Sequence, residues 1–154
     1  MGDTRWLDAA QQGQWRSYLD GSSLLVELLD RDLKASHGLS MSEYEILVRL
    51  SEAPNRTMRM AELAQLAYHS RSRLSHTCAR MEAKGLVVRV PCDDDKRGVN
   101  AVLTDKGFEV LAEAAHDHVA TVREYLVDLL TPEEFEVVGR VFARVAERAR
   151  RAVG

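Results

Sequence analysis

Between Ala61 and Lys84 two helix-forming runs are separated by only Tyr68 and His69, and a strand pair follows at once, which leaves the chain few ways to fold. The first run, Ala61-Glu62-Leu63-Ala64-Gln65-Leu66-Ala67, holds strong helix formers throughout. Ser70 is a good N-cap for the second, which runs to about Lys84, where Gly85 stops it. Two helices joined by so short a turn make a helix-turn-helix. The β-branched run Leu86-Val87-Val88-Arg89-Val90, the loop Pro91 to Gly98 and the run Val99 to Leu103 then read as a β-hairpin with a long charged tip, a wing.

Longer helices flank this centre. From about Trp15 to Ala35 the residues Trp15, Leu19, Ser22, Val26, Leu29 and Leu33 share one stripe, and Ser36-His37-Gly38 ends it with glycine in the helix-stopping place. Ser40 and Glu43 form a capping box for a helix that carries Tyr44, Leu47, Val48 and Leu50 and ends before Pro54. Pro54 to Thr57 reads as a loop. Thr104 caps a long helix with the stripe Phe108, Leu111, Ala115, Val119, Val122, Leu126 and Leu129. Thr131-Pro132-Glu133-Glu134 restarts the chain with another capping box, and Phe135, Val138, Phe142, Val145, Ala149 and Ala152 alternate at three and four residues, the seam of a helix that packs along a partner helix. The expected class is mainly α with a small β component: a winged helix-turn-helix over 39–104 between dimerisation helices at 1–38 and 105–154.

Charge is distributed to match. Overall the chain is acidic, with 21 Lys+Arg against 24 Asp+Glu, yet between Arg56 and Arg97 nine basic residues face five acidic ones. On the Ser70 helix, Leu74, Cys78 and Met81 fall on one side, while Arg73, His76, Thr77, Arg80 and Lys84 lie opposite or flank it. Its N-terminal Ser70, Arg71, Ser72, Arg73, Ser75 and His76 offer hydroxyls and forked donors where the helix end also favours phosphate, so double-stranded DNA is the expected partner. A solvated basic helix would show the same face; the tight turn before it and the hairpin after it are what a solvated helix does not require.

From about Ser40 to Gly107 the sequence resembles the MarR family of winged-helix regulators. The resemblance is carried by Met60-Ala61-Glu62-Leu63-Ala64, Ser70-Arg71-Ser72, Arg80 to Val87, Asp95-Lys96-Arg97-Gly98 and Leu103-Thr104-Asp105-Lys106-Gly107. It implies a homodimeric transcriptional regulator, expected to be a repressor, on a pseudo-palindromic operator. It also implies that Arg97 enters the minor groove, oriented by Asp95, with Lys96 beside it at the DNA. Tyr68 in the turn and His76 on the recognition helix depart from the common pattern.

The resemblance further implies a small aromatic or phenolic effector, for which Trp15, Tyr18 and Tyr44 are the candidate lining and Arg16 or Arg49 the candidate carboxylate partner; core packing is the competing fate of these aromatics. Two rival readings stay open: a protein-binding winged helix, and a redox-responsive regulator acting through Cys92 or Cys78. His116 and His118, two apart on a helix, diverge too far for a good chelate and are expected to be solvent-exposed, so no metal or cofactor is expected. No nucleophile-base pair or Gly-rich phosphate loop suggests an enzyme. No apolar run is long enough to span a membrane and the first residues do not resemble a secretory signal, so the expected location is the cytoplasm, at the nucleoid.

Overall fold

Local capping signals set most of the element boundaries in the computed structural model, which describes residues 4–67, 69–92 and 98–153. Helix α1 spans Ala9–His37 and begins six residues before the expected Trp15, because Asp8 and Gln11 form a reciprocal capping box there. It ends at Gly38, whose φ of 63° is the left-handed conformation that glycine adopts without steric cost. Helix α2 (Met41–Glu52) starts at the expected box, in which the Ser40 hydroxyl accepts from the Glu43 N–H and the Glu43 carboxylate accepts from the Ser40 N–H.

The segment after α2 differs from expectation. A 3₁₀ turn at Pro54–Arg56 leads into a three-residue strand, β1 (Thr57–Arg59), of which the sequence reads Thr57 as loop and gives no sign of a strand. Three residues are too few to show a two-residue alternation, and the strand exists because the later segment Val99–Leu103 pairs with it. Helices α3 (Met60–Leu66) and α4 (Arg71–Ala83) form the helix-turn-helix, with Ser70 as the N-cap of α4. Strands β2 (Val87–Pro91) and β3 (Val99–Leu103) form the hairpin. All pairing is antiparallel in the order β1-β3-β2, so Pro91 lies on an edge strand, where its missing N–H breaks no ladder.

The chain divides into two compact units, 1–116 and 117–154, and the break falls within α5 (Asp105–Tyr125). In the first unit, Ile46, Leu47 and Leu50 of α2, Leu63 of α3, Leu74, Cys78 and Met81 of α4, and Val87 and Ala101 of the sheet are buried in one core. Leu33 at the end of α1 and Leu111 and Ala114 at the start of α5 join it. Each fully buried Leu stabilises the fold by roughly 1.5–3 kcal/mol relative to exposure. Phe108 and Ala115 are expected on the buried stripe of α5; Ala114 is buried instead, and Phe108 is 39% exposed with the Arg56 guanidinium 4.0 Å above its ring.

In the second unit α5 ends at Tyr125 and a 3₁₀ turn at Val127–Leu129 follows, so Leu126 and Leu129 lie beyond the helix that was expected to include them. Helix α6 (Pro132–Val153) begins at the Thr131–Glu134 capping box. No helix among the described residues is long and apolar enough to cross a membrane.

Candidate nucleic-acid interface

Helix α4 is held from one side and open on the other. Its buried side chains are Leu74, Thr77, Cys78 and Met81, whereas Arg71, Ser72, Arg73, Ser75 and His76 are exposed on its first two turns. The Ser70 hydroxyl accepts the Arg73 N–H at 3.2 Å, and the first turn contains no acidic residue. The positive end of the helix dipole is therefore left open beside cationic side chains, a setting that attracts phosphate. Thr77 belongs with the buried side, contrary to expectation. Its hydroxyl donates to the Arg73 carbonyl at 3.0 Å, satisfying it within the helix.

A cleft of about 370 Å³ lies between this helix end and the hairpin, lined by Arg59, Ala61, Arg71, Ser75, Arg89 and Val99 among others. Arg89 is fixed there by Glu82: its N–H donates to one carboxylate oxygen at 2.9 Å, and Nε and Nη2 donate to the other at 3.0 and 2.8 Å. These bonds from the Arg89 side chain and backbone hold the Glu82 carboxyl below the usual carboxylate range. They tie the last turn of α4 to β2 and so fix the angle between helix and wing. The described part of the hairpin is closed at its end, where the Cys92 N–H donates to the Gly98 carbonyl at 3.0 Å. Asp95, Lys96 and Arg97, like Tyr68, lie outside the described residues.

The other end of α4 is turned inward. Lys84 Nζ donates to both oxygens of Glu43, at 3.1 and 2.9 Å, and to the Gly38 carbonyl at 3.0 Å. Arg80 approaches the same carboxylate at 3.7 Å. Burial would raise the pKa of Glu43, but the Ser40 N–H and the Lys84 and Arg80 cations outweigh it and hold the carboxyl below its ordinary range. Arg80 and Lys84, read from spacing as part of the outward basic face, are thus engaged with α2.

Three comparisons bear on this geometry. The family model described as "MarR family" matches residues 37–98. The structure of AbsC, a MarR family transcriptional regulator from Streptomyces coelicolor, superposes with a TM-score of 0.91 at 44% identity over 96% of this chain and 99% of that one. That of Sco3205, a MarR family regulator from the same organism in complex with DNA, gives 0.92 at 46% identity over 96% of this chain and 92% of that one. The chain belongs to the MarR family. Among curated relatives, the HTH-type transcriptional regulator PecS of Dickeya dadantii (strain 3937) is 29% identical over 106 residues, 68% of this chain and 63% of that protein. The chain thus spans less than two thirds of that relative's length.

Other residues of this MarR-family chain fall less neatly. Trp15 and Tyr18 stack with ring centroids 5.4 Å apart on the exposed half of α1, whereas Tyr44 is buried in the core and burial raises its pKa. Arg16 donates to Gln12 on its own helix, and Arg49 is ion-paired with Glu45 at 3.5 Å. Tyr18 does border an open groove with Ser22, Val26, Glu27, Asp30 and Met41, but neither arginine lines it. The described residues therefore do not gather the five expected effector contacts around one cavity.

Cys78 is buried, and burial pushes its thiol up to about 11, so it is protonated at neutral pH, unlike a reactive thiolate. Cys92 is buried too, donating to Asn100 Oδ1 at 3.0 Å, and the Arg89 cation on the same strand is occupied by Glu82. His116 is exposed as expected, but His118 is half-buried and burial lowers its pKa. No group of three or more His, Cys, Asp or Glu side chains suited to a metal occurs among the described residues. The residues that spacing did not reveal are Glu43, Glu82, Arg59 and Arg89. Glu43 was legible only as a cap, and the Glu82–Arg89 clamp closes across the turn at Gly85, beyond any helical periodicity.

Proposed function

We propose that this MarR-family chain is a transcriptional regulator, expected to act as a repressor in the cytoplasm, that binds double-stranded DNA sequence-specifically as a homodimer. The observation that carries the reading is the open N-terminal face of α4, where Arg71, Ser72, Arg73, Ser75 and His76 are exposed while the opposite face is anchored in the core. An α-helix presented this way fits the major groove, with arginine donors for guanine and hydroxyls for base edges or phosphates. Ser70 completes that end as its N-cap. The relative Sco3205 is described in complex with DNA, which supports the same reading here. On the family resemblance, Arg97 enters the minor groove, oriented by Asp95, and Lys96 meets the DNA beside it.

The homodimer is supported by apolar surface that a lone chain leaves in water. Trp15 is 51% exposed, and Leu19 and Val26 on α1, like Phe135, Phe142 and Val145 on α6, are also exposed. A second copy would cover them, with 1–38 and 105–154 as the dimerisation elements. Two-fold symmetry then matches a pseudo-palindrome with half-sites about 34–36 Å apart. A small aromatic ligand that stacks against Trp15 and Tyr18 would release the regulator from DNA.

Salt-dependent binding to duplex DNA tests it. Affinity should fall steeply and linearly in log–log form, and Arg71→Ala should weaken binding and reduce the slope by about 1. Binding insensitive to salt would instead fit a protein-binding winged helix.

A further inference from the structure

The recognition helix ends where several elements converge, and one side chain joins them. Lys84 is the C-cap of α4, and its ammonium bridges the carbonyl of Gly38, the C-cap residue of α1, and the buried Glu43 at the start of α2. Its own carbonyl accepts from Lys106 Nζ on the first turn of α5 at 2.8 Å. Thr104, just before α5, donates to the neighbouring Gly85 carbonyl at 2.7 Å. The end of α4 is thus tied by charge-assisted bonds to the end of α1, the helix whose outer half carries the exposed Trp15, Tyr18 and Val26.

Resting on the proposed DNA-binding homodimer, we infer that Lys84, with Glu43, is a positioning residue that fixes the recognition helix relative to α1 and thereby sets which half-site spacing the dimer accepts. The ammonium has three acceptors around it and is committed inward, so its part in DNA binding is geometric. Glu43 is 3% exposed, and a carboxylate so placed retains its charge only while its cations remain. With the junction intact, the two recognition helices of a dimer are held at a defined separation. With it loosened, each helix adjusts to its own half-site and a repeat of altered spacing is penalised less. Hydrogen bonds to a charged group are each worth roughly tenfold or more in an equilibrium, enough to set such a preference.

The test measures affinity for an inverted repeat at its selected spacing and for the same half-sites separated by one and two further base pairs. Wild type, Lys84→Met and Glu43→Gln are compared, each as full chain with its dimer content and melting point recorded. The readout is the ratio of affinities within one protein, so a partial loss of folded protein or of a phosphate contact cancels. Wild type should show a clear spacing penalty, both variants a penalty smaller by about tenfold, and Lys84→Arg, which keeps the charge, a penalty nearer to wild type. Unchanged ratios in both variants would overturn the inference while leaving the dimeric DNA reader intact. A wild type that selects no inverted repeat would remove the functional reading itself.

Discussion

Gly107→Ala sets two effects of opposite sign against each other. Gly107 lies in the first turn of α5, where replacing glycine by alanine should stabilise a helix by up to about 1 kcal/mol. Packing opposes this, because an added Cβ would lie 2.1 Å from the Leu86 carbonyl oxygen and 2.7 Å from a Leu103 methyl, against the 3.4 Å of ordinary contact. That oxygen cannot retreat cheaply, since it accepts from the Thr104 N–H at 3.1 Å and shares the Thr104 hydroxyl proton, at 3.0 Å, with the Gly85 carbonyl. The same hydroxyl accepts the Gly107 N–H at 2.9 Å. Overpacking typically costs ~1–3 kcal/mol and each strained hydrogen bond ~0.5–1.5 kcal/mol, so packing wins by about 2–3 kcal/mol. For a chain of this size the melting point should drop by about 4–12 °C, read by circular dichroism at fixed protein concentration because a dimer's stability depends on it. Gly13→Ala is the control: its Cβ meets nothing within 4 Å, and the change should be neutral or stabilising. A Gly107→Ala protein that melts at or above wild type would refute the packing argument.

Further outcomes follow from the electrostatics and the site. Glu43→Gln should flatten the acid limb of stability: Glu43's folded pKa lies below its unfolded value, so its contribution is present above the unfolded pKa and is lost as pH falls through the folded one. Acid titration of the two proteins by fluorescence checks this, and parallel curves would contradict it. Cys78 should react with a neutral thiol reagent under native conditions far more slowly than after unfolding, since it is buried and its thiol is pushed up to about 11. Mild peroxide should accordingly leave DNA affinity unchanged. Arg97→Ala should weaken DNA binding with the dimer intact by sedimentation, and unchanged affinity would remove the minor-groove contact.

The sequence was most legible where one short-range signal decides an element. The Ser40–Glu43 and Thr131–Glu134 boxes, the Ser70 cap and the glycine after α1 appear in the structure where the residues place them. Asp8-x-x-Gln11 is a signal of the same kind, and it sets the true start of α1. What was not legible depends on partners distant in sequence. β1 needs β3 to exist, and Glu43 meets Lys84 and Arg80 only after α2 and α4 pack. Thr77 is a related case: its small hydroxyl donates to the Arg73 carbonyl, so a polar residue can sit on the buried side without an unsatisfied donor. The apolar stripes on α1 and α6 were visible as periodicity, but periodicity does not distinguish a core from an interface; in the single chain Trp15, Leu19 and Val26 of α1 and Phe135, Phe142 and Val145 of α6 are exposed, whereas Leu29 and Leu33 of the same α1 stripe are buried.

The central claim is that the open face of α4 reads DNA as one half of a symmetric pair. Selection of bound duplexes from a random-sequence pool, carried out at two salt concentrations, addresses it most directly. The account predicts recovery of an inverted repeat whose enrichment is lost together in Arg71→Ala and Arg73→Ala; retention without any repeat, or none at either salt, would contradict it.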